Sequence, residues 1–401
     1  MEKRIGIYFH IPFCISRCAY CDFCSTENRR DLIPAYQDAI IAHLEEYAPR
    51  LEGYLVDTVY FGGGTPSWYG AKNLIKIFDA LKRCCRVMVD AEVTLEANPD
   101  SINEEDLRLL RKAGFNRISI GMQSFNNEIL KFINRRHTSE QALDAFEAAR
   151  NAGFENISID LIYGLPAQSR EDWADTLMRA VLLAPEHISC YGLKVEEGTK
   201  LWQYRDSPLI PDDDTQADMY LYTVDFLASH GYTQYEISNF AQRGMESRHN
   251  LKYWLLGDYA GFGASAASLV GASRYTFTDS VEEYIAAVKN GAPVISESEE
   301  ITLRERSAEY IMLGLRTTYG ISADDYAAYF RGGFESMEPL LQSYQKYGYV
   351  REVDGRWSFT PKGFLLSNSL IGELLDALSE KKYNISSPWK QEDYYSSLFC
   401  V

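Results

Sequence analysis

No stretch of this chain is apolar for long enough to cross a membrane. No basic region followed by a long apolar core marks a secretory signal at the N-terminus. That end carries a strand-like run instead, so the expected compartment is the cytoplasm. A disulfide framework is also missing. Of the eight cysteines, four crowd one loop, and Cys84, Cys85, Cys190 and Cys400 are scattered. That usage suits a reducing compartment. Positive charge is in short supply: 40 Lys and Arg stand against 57 Asp and Glu, for a net charge of −17. Phosphate recognition needs concentrated Lys and Arg, so nucleic acid is not the expected partner. There is no low-complexity tract and no internal repeat beyond an alternation of strand-like and helix-like runs.

What is there is an ordinary globular composition, 46% apolar and 24% charged over 401 residues. The chain is too long for one small core, and two domains are expected. Its 28 Tyr and 19 Phe suit a large flat ligand but serve equally well to fill cores.

The chain is organised around the loop Cys14-Ile-Ser-Arg-Cys18-Ala-Tyr20-Cys21-Asp-Phe-Cys24, which follows the apolar run Ile5–His10. Three thiols spaced four and then three positions apart sit on one tight turn. Cys thiolates hold 4Fe–4S cubes, and a cube with only three of them keeps one iron open for another ligand. A structural zinc site is the alternative, but it prefers two ligand pairs separated by a longer segment. Four thiols inside eleven residues fit that poorly.

After a helical stretch at Leu32–Tyr47, short apolar runs alternate with helical patterns. The runs are Val56–Phe61, Glu92–Glu96, Arg117–Gly121, Asn156–Asp160 and His187–Tyr191. With the opening strand they make six βα units, a partial (β/α)6 barrel whose ligand belongs at the C-terminal ends of the strands. A helix is expected over Pro211–His230, opened by Asp212, Asp213 and Asp214. Residues 231–292 begin with an aromatic and Gly-rich segment, Tyr232–Gly263, which reads as irregular structure wrapped against the barrel. Beyond Asn290-Gly-Ala-Pro293 the pattern changes. Helices at Leu303–Arg316, Ser322–Tyr329, Met337–Tyr347 and Pro361–Leu378, with strands Val350–Val353 and Arg356–Thr360 around Asp354-Gly355, predict a smaller helical, winged-helix-like domain over 293–380. The barrel spans 1–230, and 381–401 form a polar and aromatic tail.

Polar residues gather at the predicted strand ends. Gly62-Gly63-Gly64-Thr65-Pro66 lets backbone approach a ligand and exposes N–H groups, although a plain strand-to-helix turn reads as well. It lacks the Lys and spacing of a phosphate-binding P-loop. Glu96 ends the third strand, Gln123 and Arg135 follow the fourth, and Asp160 ends the fifth. Arg can hold a carboxylate through paired hydrogen bonds, and Gln and Asp suit hydroxyl groups. Any one of them is an ordinary loop residue or helix cap; four at successive strand ends point to a shared ligand.

Cys14, Cys18 and Cys21, with Tyr20 before the last, resemble the CxxxCxxC signature of radical S-adenosylmethionine (SAM) enzymes. In that family three thiolates hold a 4Fe–4S cluster whose fourth iron binds SAM. The Gly-Gly-Gly-Thr-Pro run resembles the family's glycine motif. Tyr8-Phe-His-Ile-Pro-Phe-Cys14, Gly121-Met-Gln-Ser-Phe125 and Asp160-Leu-Ile-Tyr-Gly-Leu-Pro166 extend the likeness to the oxygen-independent coproporphyrinogen III oxidase family and its relatives. The second half resembles that family's accessory domain, so nearly the whole chain is covered. The resemblance implies an α/β fold of radical SAM type and a SAM site made by Tyr8, Tyr20, Gly63, Gly64, Thr65, Glu96, Gln123, Arg135 and Asp160.

His249-Asn250-Leu-Lys-Tyr253-Trp254 resembles the HNxxYW motif of the HemW heme chaperones within that group. It implies heme contact at His249, Asn250, Tyr253 and Trp254. A His can ligate heme iron and aromatic rings can pack on a macrocycle, while a lone His is otherwise a hydrogen-bonded or exposed residue. Two functions follow. One is a heme chaperone that carries a 4Fe–4S cluster, SAM and heme or porphyrin, forms homodimers and delivers heme to an acceptor protein. The other is the oxidase itself, which decarboxylates propionate side chains in porphyrin biosynthesis. Oxidases carry a long extension before the loop and a fourth Cys two residues after the third. Here thirteen residues precede Cys14, Phe23 takes that position, and Cys24 is displaced by one. The chaperone is therefore the expected function. Cys24 either caps the open iron or is simply buried. RNA or peptide modification is a third reading, and the acidic balance disfavours RNA.

Overall fold

The computed structural model describes residues 2–330 and 332–379. The tail singled out in the sequence lies outside the described residues.

Six strands follow one another in the sheet in chain order: β1 (Lys3–Ile11), β2 (Tyr54–Gly63), β3 (Val87–Ala97), β4 (Arg117–Gln123), β5 (Ile157–Tyr163) and β6 (His187–Gly192). All five neighbouring pairs are parallel. This is the open (β/α)6 arrangement expected from the alternating runs. The period-two pattern assigns the faces. On β1, Ile5, Ile7, Phe9 and Ile11 are fully buried in the layer under the helices. Phe9 stacks on Phe61 of β2. Gly6, Tyr8 and His10 point the other way, into the barrel.

The helices between the strands end where their sequences say they should. Asn103 caps Glu104–Ala113 through the Asp106 N–H, and Gly114 closes it in a left-handed conformation. Thr138 with Gln141, and Ser169 with Asp172, form capping boxes for Ser139–Asn151 and Arg170–Leu182.

The segment after the helix Asp213–Ser229 departs from the expectation of irregular structure. Asn239–Ala241 (β7) pairs antiparallel with β6, and Arg248–Trp254 is a two-turn helix. Tyr259–Phe262 (β8) runs parallel to β1 as a seventh parallel strand. Ala267–Val270, Ser273–Phe277 and Ile295–Glu300 extend the sheet antiparallel beyond β8, for twelve strands among the described residues. The aromatics there are dense because Phe262 packs beside Phe9 and its neighbours fill the same layer.

From Ile301 the chain builds a second core around Tyr310, Tyr326, Phe330 and Phe359. Val350–Val353 and Arg356–Phe359 form a hairpin, with Asp354 and Gly355 both at positive φ, as a type I′ turn needs. Ile321–Ser322 adds a third short strand, and five helices surround the sheet. The single helix expected over Pro361–Leu378 is two, broken at Leu366.

Candidate functional site

A cavity of ≈ 440 Å³ opens at the C-terminal ends of β1 to β6. The loop after β1 contributes Cys14, Cys18, Tyr20 and Cys21, and the turn after β2 contributes Gly63, Gly64 and Thr65. Glu96 and Asn98 come from the end of β3, Gln123 and Arg135 from β4 and beyond, and Asp160 from β5. Eleven residues singled out in the sequence thus share one cavity, because each stands at or just beyond a strand end of one parallel sheet.

The thiol loop is clamped at both ends. Phe13–Cys14 pairs with Thr26–Glu27, and the Ala19 N–H donates to Ile133 O. Cys14 Sγ and Thr65 Oγ1 are 3.4 Å apart, and Arg135 Nη1 donates towards Cys18 Sγ at 3.4 Å. Burial pushes the Cys14 thiol up, and the Cys21 thiol to about 11. Cys24 does not line the cavity; its Sγ donates to Asp279 O at 3.2 Å. Among the described residues no three His, Cys, Asp or Glu side chains converge on one point as ligands of a single ion do. A cube takes one thiolate per iron corner, and Cys14, Cys18 and Cys21 line the same cavity.

Glycine is required where the β2 turn meets the loop. A Cβ on Gly64 would sit 2.8 Å from the Phe13 backbone, and Gly63 has φ 110° with His10 against it. Gln123 holds φ 66°, a left-handed conformation rare for its type, where the β4–β5 register slips.

Both carboxylates are half-buried in the cavity wall and supported. Tyr60 Oη donates to Glu96 Oε1 at 2.7 Å and the Gly63 N–H to Oε2 at 3.1 Å. Burial pushes the Glu96 carboxyl up to about 7 against those two hydrogen bonds. Asp160 accepts from Ser119 at 2.9 Å and Ser189 at 2.8 Å. Burial raises it too, while those hydroxyls and the Arg117 charge restrain the rise. Arg135 Nη2 donates to Asn98 Oδ1 at 2.9 Å, and Asn98 Nδ2 to Thr65 Oγ1 at 3.1 Å. The buried Arg135 Nε has no partner among the described residues. The glycine turn does not expose its N–H groups as the sequence suggests: those of Gly63, Gly64 and Thr65 are donated to Glu96, Ile11 O and Phe13 O. The donor set that remains fits a 4Fe–4S cluster with SAM beside it: three thiols, the Thr65 hydroxyl, a guanidinium and two carboxylates lining one cavity.

Tyr8 lies below the cavity, not in its wall. Its hydroxyl and His10 Nδ1 are 3.0 Å apart, and its ring stacks on Tyr60 and His249. The motif His249–Trp254 is not at the cavity. Its helix plugs the opposite end of the barrel. Glu92 of β3 accepts the N–H groups of Arg248 and His249, and Arg248 Nη1 donates to Asp90 O. Both ring nitrogens of His249 are engaged, Nδ1 with Thr58 Oγ1 and Nε2 with Tyr253 Oη, each at 2.8 Å. Burial lowers its pKa to about 3. In this arrangement His249 offers no nitrogen to an iron. Asn250, Tyr253 and Trp254 are half-buried.

Sequence reasoning missed Asn98, Tyr60, Ser119 and Ser189. Asn98 stands two residues beyond Glu96 at the same strand end, which was signal enough. The others point inward from strand interiors, where period two cannot tell a barrel lumen from a core.

Residues 8–180 match the Radical SAM superfamily and residues 301–366 the HemN C-terminal domain. Heme chaperone HemW of Bacillus subtilis (strain 168) is 34% identical over 92% of this chain and 99% of its own length. HemW of Lactococcus lactis subsp. lactis (strain IL1403) is 36% identical over 94% and 98%. HemW of Escherichia coli (strain K12) is 32% identical over 92% and 97%. Among solved structures, coproporphyrinogen III oxidase (HemN) from Escherichia coli, a radical SAM enzyme, superposes with a TM-score of 0.79 at 25% identity. It covers 94% of this chain and 90% of that one.

Proposed function

The chain belongs to the HemW family of radical SAM proteins, and from that premise we propose that it is a heme chaperone: it binds a 4Fe–4S cluster, SAM and heme, and delivers heme to an acceptor protein. The observation that carries this is the joint one of likeness to three heme chaperones over most of the chain and a cavity that gathers Cys14, Cys18 and Cys21 with Glu96, Gln123, Arg135 and Asp160.

Cys14, Cys18 and Cys21 would hold the cluster. Gly63, Gly64 and Thr65 offer backbone and hydroxyl groups to the amino end of SAM, Arg135 its guanidinium to the carboxylate, and Glu96, Gln123 and Asp160 their oxygens to ammonium and ribose. Tyr20 lies beside the thiols, and Tyr8 backs Tyr60. A bound cluster supplies one-electron transfer and one open iron position. The chain's own residues fix the ligand, with Glu96 held by Tyr60 and Asp160 by two serines. Heme contact falls to Asn250, Tyr253 and Trp254, with His249 retained as the residue that shapes their helix.

No helix among the described residues is long and apolar enough to cross a membrane. The reading places the protein in the cytoplasm, with a homodimer as its assembly. The likeness to coproporphyrinogen III oxidase supports a second reading, turnover of the porphyrinogen itself.

The test is a heme titration of the reconstituted protein, followed by mixing with apomyoglobin as a heme sink. A saturable Soret band at about one heme per chain that moves to apomyoglobin supports the chaperone. Absence of saturable heme binding overturns it.

A further inference from the structure

The helix that carries the HNxxYW run is seated in the barrel lumen, and its neighbours form a continuous column that ends at the ligand cavity. His249 is 1% exposed. Its ring stacks on Tyr60 with centroids 5.2 Å apart and planes 27° apart, and on Tyr8 at 6.4 Å and 30°. Thr58 on one side and Tyr253 on the other fix the ring plane through both nitrogens. The helix is itself fixed, by Glu92 on its first N–H groups and by a buried pair, Lys252 Nζ to Asp57 Oδ1 at 2.8 Å. Gly6 makes room for it: a Cβ there would sit 2.9 Å from Lys252 Cδ and 3.1 Å from His249 Cε1.

One step above, the same Tyr60 donates to Glu96 Oε1, and Glu96 Oε2 takes the Gly63 N–H. Glu96 and Gly63 both line the cavity. A Cβ on Gly62 would meet Tyr60 Cε1 at 2.9 Å and Glu96 Oε2 at 3.0 Å, so the glycine turn, the tyrosine and the carboxylate fit together with no slack. Tyr60 therefore has two anchors, the His249 ring below and Glu96 above. An aromatic ring stacked on a fixed neighbour loses rotamer freedom before it binds, which sharpens the hydroxyl it presents.

We infer that His249 is a positioning residue for the SAM site: by stacking under Tyr60 it sets the hydroxyl that orients Glu96 and, through Glu96, the Gly63 N–H. This inference rests on the assignment of the cavity to SAM. It gives the motif helix a second task besides heme contact, and it makes that helix the floor of the SAM site. The step is one of placement only; no proton or electron moves.

The experiment is a double-mutant cycle on the cluster-loaded full chain, with wild type, His249→Ala, Tyr60→Phe and the double variant. SAM dissociation constants come from equilibrium dialysis with labelled SAM, beside iron content. His249→Ala is expected to weaken SAM about tenfold when Tyr60 is present and less than about twofold in Tyr60→Phe, with iron content unchanged. Equal losses in both backgrounds, or no loss in either, overturn the inference while leaving the SAM assignment standing. Wild type that binds a cluster but no SAM overturns the assignment and the inference with it. Should His249→Ala fail to fold, Tyr253→Phe removes the hydroxyl that holds the His249 ring and must show the same dependence on Tyr60, with a smaller loss of about threefold. Independence from Tyr60 in that variant overturns the inference as well.

Discussion

Arg135 Nη2 donates to Asn98 Oδ1 at 2.9 Å, which ties the chain beyond β4 to the end of β3 beside the thiol loop. Arg135 also reaches Cys18, and Asn98 also reaches Thr65, so the two residues bridge the thiol wall and the glycine turn. Asn98→Ala leaves a buried guanidinium short of an acceptor and Thr65 short of a donor. A hydrogen bond to a charged group contributes about 1.5–3 kcal/mol, so SAM binding is expected to weaken about 10- to 100-fold with the cluster retained. Dialysis of labelled SAM against the reconstituted variant checks this; unaltered affinity contradicts it.

The cysteines separate into two classes. Cys14, Cys18 and Cys21 line the cavity, whereas Cys24 is turned away to the Asp279 carbonyl. Single alanine variants of the first three are expected to lose most of the visible absorption and iron after anaerobic reconstitution. Cys24→Ala is expected to keep about four irons per chain. Iron and sulfide analysis of the four variants decides it.

In the ligand-free protein the buried carboxyls oppose the buried histidines: Glu96 and Glu236 take stability away as pH rises towards neutrality, while imidazoles held neutral by burial, His249 among them, add it. Burial raises the Glu96 and Glu236 carboxyls to about 7. A carboxyl raised above its unfolded value stabilises the fold fully below the unfolded pKa and loses that contribution as pH climbs through the folded one. The window is therefore from about 4.5 to about 7, and one such group accounts for roughly 3 kcal/mol. The stability of wild type relative to Glu96→Gln should therefore fall between about pH 4.5 and 7. A difference that stays flat across this range contradicts the shift.

Lys252 and Asp57 form an ion pair in which both side chains are under a tenth exposed. Removing one partner of such a pair strands the other charge and costs about 3–5 kcal/mol, while replacing both with apolar residues costs much less. Lys252→Met alone should lower the melting temperature sharply, and Lys252→Met with Asp57→Leu should recover most of it. Denaturant unfolding of the three proteins gives the comparison.

Much of this was readable beforehand, for physical reasons that can be named. Ile157–Tyr163 and Arg117–Gln123 announce themselves because parallel strands covered by helices are short, apolar and spaced by amphipathic stretches. Glu96, Gln123, Arg135 and Asp160 were legible because a polar residue ending such a run has only the barrel mouth to face. The Tyr232–Gly263 segment was not legible. Its strand Tyr259–Phe262 pairs with β1 across some 250 residues of chain, and no local period encodes that partner. Ile295–Glu300 escaped for a different reason: it is an exposed edge strand in which five of six residues are charged or polar, the composition of a loop. His249 was read by its resemblance as a heme contact. Its placement between Thr58, Tyr60 and Tyr253 follows from packing in the lumen, which only the folded chain shows.

The chaperone and oxidase readings rest on the same fold, so one turnover experiment separates them. The reconstituted protein, with about four irons and bound SAM, is given dithionite and coproporphyrinogen III without oxygen, and the porphyrinogen products are resolved over time. A heme chaperone is expected to leave the substrate unchanged while the same preparation binds heme. Protoporphyrinogen accumulating over many turnovers would contradict the chaperone assignment and make the protein an oxidase.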